Sequence, residues 1–463
     1  MTAEFRAISV NQNVSRFLKS SLEDWRKVWC FALIIKIIIA ILLPFANDES
    51  YFWVWGHHPH LSYFDHPAMV GWLFYLGTFL ENFGNAARLP GVIIGHLTLF
   101  IWALILAPFL ETESKKTAWL LFIAFSPFLG VGSLILTPDI PLLFFWSLSL
   151  WLLLRAVESR KSLDYIALGA SLGLGFCSKY LIVIFVPCAL LWLAVSGKWR
   201  DVDWKKLPLT IVTGLLFCAP VLIWNSENQW ASFAFQLNHG LESEKRDPIW
   251  PVEYFVSQLA ILFPIAAYFA LRKKSVSGTS FLHVFGWFPL AFFFYTSYRA
   301  KVEGNWPMMG HPEILALAFL NAADSKWLRA QWILWVTATV LVFAQVAHPW
   351  IPVPERQLKT YEFSHYDVFL SIAAKRKDLY MGSYQEAAAV SYKMRRQIYK
   401  LAGMNRRDFY DFTPQSRPTG DSFVVGAERW QELPVWVIEA GYESVSERQI
   451  SDEFKLIEVR RKK

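Results

Sequence analysis

Two adjacent acids followed by an aromatic residue, Asp48-Glu49-Ser50-Tyr51, form the most chemically loaded stretch of this chain. A carboxylate can accept a proton, bind a hydroxyl or ligate a cation, and a pair of them beside a bilayer is a costly choice without a use. Other clusters share this character: Tyr63-Phe64-Asp65-His66-Pro67, Thr137-Pro138-Asp139, Ser178-Lys179-Tyr180, Trp224-Asn225 and the run from Tyr298 to Pro307, which holds Arg299, Lys301, Asn305 and Trp306. Lys179 is a cation in an otherwise apolar turn and calls for an anionic partner. Arg299 and Lys301 suit lipid headgroups and a substrate phosphate equally. Plainer readings exist: a lone acid such as Asp139 also serves as a helix cap. His57, His58, His60 and His66 are ligand types, but their spacing matches no zinc signature and reads as solvated interfacial histidine.

The elements that must position these residues are membrane helices. The chain has 463 residues, of which 54% are hydrophobic and 17% aromatic, too apolar for an ordinary soluble domain. Spans of roughly 17–25 apolar residues satisfy their own backbone as helices in lipid. On that basis about eleven spans are expected, at about 29–46, 90–110, 117–135, 140–156, 164–178, 180–197, 207–225, 253–271, 279–297, 307–323 and 329–347. Lys36, within the first, reads as a snorkelling side chain. The four cysteines fall in or beside spans and imply no disulfide framework.

Lys and Arg set the orientation, because positive loops resist translocation. With Arg6, Arg16, Lys19, Arg26 and Lys27 cytoplasmic, alternate loops carry Lys115 and Lys116, Arg160 and Lys161, Lys205 and Lys206, Lys273 and Lys274, and Lys326 and Arg329. Every chemical cluster then falls on the opposite, extracytoplasmic face, where residues distant in sequence can converge on one interfacial cavity. The net charge of +7 is accounted for by this cytoplasmic rim and a basic tail, with no need for nucleic acid. The first hydrophobic segment reads as a retained signal anchor.

Residues 47–89 are expected to form interfacial helices. Beyond about residue 352 charge becomes frequent. Ser422 to Gly426 and Val435 to Ala440 have strand length, and Tyr384 to Ala402 reads as a helix. The expected organisation is a cytoplasmic segment over 1–28, a transmembrane domain over 29–350 and a small extracytoplasmic α/β domain over 351–463.

In order, Asp48-Glu49-Ser50-Tyr51-Phe52-Trp53, Tyr63-Phe64-Asp65-His66-Pro67, Arg88-Leu89-Pro90, Thr137-Pro138-Asp139, Ser178-Lys179-Tyr180 and Asn305-Trp306-Pro307 resemble the bacterial membrane glycosyltransferases of the GT-C fold, in the group of the protein O-mannosyltransferases and the aminoarabinose lipid A transferase. The resemblance runs across about residues 25–350. It implies an all-α polytopic membrane protein of GT-C type with an added α/β domain, sited in a bacterial inner membrane. It also implies an enzyme that passes a sugar from a polyprenyl-phosphate donor to an extracytoplasmic acceptor, whether lipid A, another glycolipid or a protein, usually with inversion.

By match to the family's first-loop acid, Asp48 becomes the general base. Glu49 would orient it, bind a sugar hydroxyl or help hold a divalent ion. Lys179, Arg299 and Lys301 are candidates for the lipid phosphate, with Lys a point charge and Arg a planar fork. Asp139, Tyr51, Tyr63, Asp65, His66, Asn225, Asn305 and Trp306 would line the substrate pocket together with Trp224. No cofactor is certain; a divalent metal, if one is used, would draw on Asp48 and Asp139. Ala68 stands where close relatives often have a second proline. The reading from another class is a transporter or lipid flippase, which would place its ionisable residues near the midplane. A noncatalytic scaffold is a third reading.

Overall fold

The computed structural model describes residues 24–241, 246–272, 276–348, 350–351 and 359–462. Arg6, Arg16, Lys19, Lys273 and Lys274 lie outside them. The helices of the first part are α1 (Trp25–Leu42), α2 (Asn47–His57), α3 (Met69–Gly77), α4 (Leu89–Leu106), α5 (Glu113–Ala124), α6 (Asp139–Ser159), α7 (Ser162–Ser178) and α8 (Phe185–Val195). They are followed by α9 (Leu207–Glu227), α10 (Ala231–Leu241), α11 (Trp250–Leu262), α12 (Pro264–Leu271), α13 (Ser280–Ser297), α14 (His311–Ala322) and α15 (Lys326–Ala347). Each expected span contains helix.

Among the described residues, four helical stretches are long and apolar enough to cross a membrane alone: 86–109, α6, 204–227 and α15. Bent pairs raise this to as many as seven if each is one span: α1 with α2 at 91°, α5 with the turns to Leu134 at 78°, and α11 with α12 at 88°. The eleven expected crossings are thus not reached by length and hydropathy. A proline-led π turn over Pro127–Val131 breaks the segment expected at 117–135, and α7, α8 and α14 have 17, 11 and 12 residues. Lys36 does not snorkel: it is buried and donates to Ser133 Oγ at 2.7 Å. The four cysteines are free thiols.

Residues 47–89 fold as α2, α3 and two short 3₁₀ turns. Gly56 lets α2 lie directly on α3, since a Cβ there would sit 2.7 Å from the Cβ of Phe74.

The C-terminal part carries α16 (Leu370–Lys375), α17 (Tyr384–Met394) and α18 (Val435–Glu439) beside a five-stranded sheet. Its strands are β1 (Leu379–Met381), β2 (Tyr399–Lys400), β3 (Ser422–Glu428), β4 (Tyr442–Gln449) and β5 (Phe454–Arg461), in the order β2-β1-β3-β5-β4. β1 runs parallel to β2 and β3, whereas β5 is antiparallel to β3 and β4. The strand expected near Val435 is a helix instead. Pro434 starts it in an extended conformation and Gly441, at φ +82°, lies just past its end, and a short apolar run does not by itself distinguish strand from helix. The helix expected over Tyr384 to Ala402 stops at Met394, where Arg395 turns left-handed at φ 49°, and the chain continues into β2.

This domain is not a loose appendage. Phe45, Tyr51, Trp53, Tyr63 and Phe74, in and just before the segment 47–89, share one buried apolar cluster with Phe369, Met381, Ala388, Tyr410 and Phe454 of the C-terminal domain.

Candidate functional site

The two adjacent acids have opposite environments. Glu49 is fully buried: one carboxylate oxygen accepts from Arg88 at 2.7 Å and from the Ala46 backbone N–H at 3.2 Å, and the other accepts from the Leu136 N–H at 2.8 Å. Arg88 is buried too, and donates to the carbonyls of Leu43 at 2.7 Å and Pro44 at 2.9 Å while lying over the Phe45 ring at 4.4 Å. The pair ties the end of α1, the start of α2, the start of α4 and the connection at Leu136 into one joint. Asp48, one residue earlier, is exposed, with Gln385 of α17 donating weakly to it at 3.4 Å. Placement at the first turn of α2 therefore fixes one carboxylate and leaves its neighbour accessible.

A second constellation joins three distant segments. Lys179, at the C-terminal cap of α7, donates to Asp139 Oδ1 at 2.6 Å, and Asn305 donates to Asp139 Oδ2 at 2.8 Å. Asp139 and Lys179 are both buried. Asp139 opens α6 directly after Thr137-Pro138, and Asn305 precedes the 3₁₀ turn that starts at Trp306. Each oxygen of Asp139 is engaged, whereas the ammonium of Lys179 has donors beyond the one it gives to Asp139. Among the described residues, no group of three or more His, Cys, Asp or Glu is placed to hold a metal ion.

Asp65 forms a third node. It accepts from Tyr51 at 2.5 Å and pairs with Arg406 of the C-terminal domain; Tyr51 Oη in turn accepts from the Phe409 N–H at 2.9 Å. Burial pushes the Asp65 carboxyl above its usual range, against the pull of Arg406. Gln236 of α10 donates to the Asp65 carbonyl.

The remaining candidates are placed as follows. Tyr63 is buried and stacked on Trp55 at 4.1 Å, its hydroxyl closing on the carbonyls of Trp55 and His58. It braces the loop. His66 is half-buried near Phe52. Asn225 is buried and shapes the turn after α9, accepting from Phe233 N–H at 3.3 Å through its side chain. Trp306 packs against Phe293 and Trp224 against Phe412. Arg299 and Lys301 are exposed; Arg299 donates to the Tyr295 hydroxyl at 3.0 Å.

Arg406, Gln385 and Phe409 have no counterpart in the sequence reading. Gln385 lies in the helix read from Tyr384 onward; the segment of Arg406 and Phe409 has unremarkable composition, and its only local signal is the basic pair Arg406-Arg407.

The family model of dolichyl-phosphate-mannose-protein mannosyltransferases matches residues 65–224. A lipid A galacturonosyltransferase of Rhizobium johnstonii is 22% identical over 253 residues, covering 50% of each chain. An undecaprenyl phosphate-alpha-4-amino-4-deoxy-L-arabinose arabinosyl transferase of Pseudomonas paraeruginosa is 27% identical over 391 residues, covering 73% of this chain and 68% of the relative. The chain spans about half the length of the galacturonosyltransferase and of an arabinosyl transferase of Edwardsiella ictaluri that it also matches. The crystal structure of ArnT from Cupriavidus metallidurans in the apo state superposes with a TM-score of 0.65 at 13% identity, over 94% of this chain and 97% of that one. In sequence the chain is thus similar to mannosyltransferases and to aminoarabinose and galacturonosyl lipid A transferases, and it shares its fold with the solved ArnT structure.

Proposed function

We propose that the chain is a membrane glycosyltransferase that moves a sugar from a polyprenyl-phosphate donor to a glycolipid acceptor of the lipid A or lipopolysaccharide type, at the extracytoplasmic face. The observation that carries this reading is the split of the acid pair: Glu49 is locked by Arg88 and Leu136, and Asp48 beside it is exposed on the same helix turn. In a direct displacement the acceptor hydroxyl loses its proton as its oxygen bonds to the anomeric carbon, and the lipid phosphate leaves from the opposite side. An accessible carboxylate on a rigid helix start is suited to take that proton. Glu49 becomes a positioning residue that holds the helix, rather than a ligand for sugar or metal.

The leaving phosphate needs preorganised cations. Lys179, oriented by Asp139 and Asn305, is suited to share its remaining donors with phosphate oxygens. Arg299 and Lys301 lie exposed in the loop that also supplies Asn305. The names of the relatives support the substrate classes: arabinosyl transfer involving undecaprenyl phosphate, and galacturonosyl transfer to lipid A or lipopolysaccharide core. The solved relative has also been obtained bound to undecaprenyl phosphate. An Asp48→Asn variant that inserts and melts like the parent should lose transfer from a lipid-linked donor by about a hundredfold or more, the scale of a positioned general base. Undiminished turnover would remove Asp48 from this role.

A further inference from the structure

A cavity of about 360 Å³ opens where the first outer loop, the turn after α9 and the C-terminal domain meet. Phe64 comes from the motif around Asp65, Asn228, Gln229, Phe235 and Asn238 from the end of α9 and from α10, and Arg407 from the C-terminal domain. Its size lies at the lower end of small-ligand pockets, which run from roughly 300 to 1,000 Å³. None of these residues belongs to the Asp139, Lys179 and Asn305 constellation.

Two observations give this cavity its chemistry. Arg407 is exposed and held by rings alone, with its guanidinium 5.4 Å from the Phe64 centroid and 4.6 Å from that of Phe412. Among the described residues it has no carboxylate partner, whereas its neighbour Arg406 is taken by Asp65. Donors that no carboxylate takes remain on a planar fork that fits two oxyanion oxygens.

The second observation is backbone strain. Gln229 and Trp230, neither of them glycine, have φ of 57° and 58° in succession, a conformation that persists only where the surroundings impose it. Asn225 imposes it: its carbonyl accepts from the Trp230 N–H at 2.7 Å and its side chain from Phe233. The turn so held carries the side-chain amides of Asn228 and Gln229 on the cavity wall. The Asn228 amide donates to the Trp224 carbonyl at 2.8 Å, which fixes it and leaves its oxygen as an acceptor. A fixed amide at Asn228, further amides at Gln229 and Asn238, two phenyl rings and a guanidinium without a carboxylate partner among the described residues are groups that recognise, in turn, hydroxyls, sugar C–H faces and phosphate.

We propose that this cavity binds a phosphorylated sugar of the acceptor headgroup, with Arg407 on the phosphate and Asn228, Gln229 and Asn238 on ring hydroxyls. The inference rests on the transferase reading above and names the acceptor side of it. The donor phosphate is assigned to the Lys179 constellation, so the two anions have separate cations.

The full-length protein in lipid nanodiscs should bind the lipid-free bisphosphorylated glucosamine disaccharide, and should bind the unphosphorylated disaccharide more weakly. Arg407→Ala should weaken the phosphorylated probe by about tenfold or more, the scale of a charge-assisted pair, and leave undecaprenyl phosphate binding as in the parent. Arg407→Lys keeps the charge without the fork and should fall between the two. It also serves if the alanine variant melts early. Equal affinity of parent and Arg407→Ala for the phosphorylated probe would overturn the assignment. So would a parent that does not bind it, or an effect confined to undecaprenyl phosphate. Because headgroup binding needs no donor, phosphate-dependent binding without any sugar transfer would sink the transferase reading and keep this site, and transfer with Arg407-independent binding would do the reverse.

Discussion

At the scale of single residues, neighbours of the same type do different work because of what meets them. Asp48 and Glu49 are adjacent and both acidic, yet only Glu49 faces inward at the first turn of α2, where Arg88 and the Leu136 N–H wait. A buried pair of this kind is costly to break from one side, because the partner left behind keeps an uncompensated charge. Arg88→Met should therefore lower stability by about 3–5 kcal/mol, read as an earlier thermal transition of the detergent-solubilised protein. Adding Glu49→Gln to it should recover part of the loss, since no charge then remains at the joint. A double variant that melts below Arg88→Met would show that the Glu49 carboxylate stabilises the joint without the arginine. Asp48→Asn, at an exposed position, should leave the transition where it is. Stability loss and activity loss are thereby separable at consecutive positions.

At the scale of elements, the segment between β2 and β3 fastens the C-terminal domain to the segment 47–89. Lys400 of β2 is fully buried and donates to Asp408 at 2.6 Å, to Asp411 at 2.7 Å and to the Arg406 carbonyl at 2.8 Å. Two carboxylates share one ammonium, and burial pushes Asp408 up to about 7 despite Lys400. Glu386, whose carboxylate caps α17, is pushed up to about 8 by burial as well. Both groups hold their protons to higher pH folded than unfolded. Their contribution to stability is therefore complete below about pH 4, the ordinary carboxyl range, and is lost as pH rises through about 7 to 8. The protein should melt earlier at pH 8 than at pH 5, and Asp408→Asn should flatten that slope; an unaltered slope would place the titration elsewhere. Most of the helical elements and the first-loop, α6 and α7 motifs were legible in the sequence, because acids, amides and cations stand out in an apolar chain. What joins them was not. Lys179 and Asn305 lie 40 and 166 residues from Asp139, and no local pattern encodes such a pairing. Arg406 and Phe409 sit in a segment of ordinary composition, and the helix near Val435 shows that a run of four apolar residues does not choose between periods of two and 3.6.

At the scale of the whole molecule, the apolar cluster shared by the segment 47–89 and the C-terminal domain constrains topology more firmly than hydropathy does. Residues 47–89 and 359–462 contribute to one packed core, joined further by Tyr51 with Phe409 and by Asp65 with Arg406, so both must lie on one side of the bilayer. The chain between them must then cross an even number of times, whichever short helices are counted as spans. The four helical stretches long enough to cross alone all fall in that interval and satisfy the condition, as do six once the two bent pairs there, α5 and α11 with α12, are added. α1 passes the length and hydropathy test only together with α2; counted as one further crossing, it makes the total odd and puts its Trp25 end on the other side. The positive loops then predict which side is which: Lys115 and Lys116, Lys205 and Lys206, and Lys326 and Arg329 are expected on the cytoplasmic one. In a Cys30→Ser background, the other three cysteines being buried, a cysteine at Ser446 on the exposed face of β4 should react with a membrane-impermeant maleimide in spheroplasts prepared from intact cells. A cysteine at Lys115 should react only after the inner membrane is opened. The reversed pattern would turn the molecule over and put Asp48, Lys179 and Arg407 in the cytoplasm, where a donor delivered along the outer leaflet could not reach them.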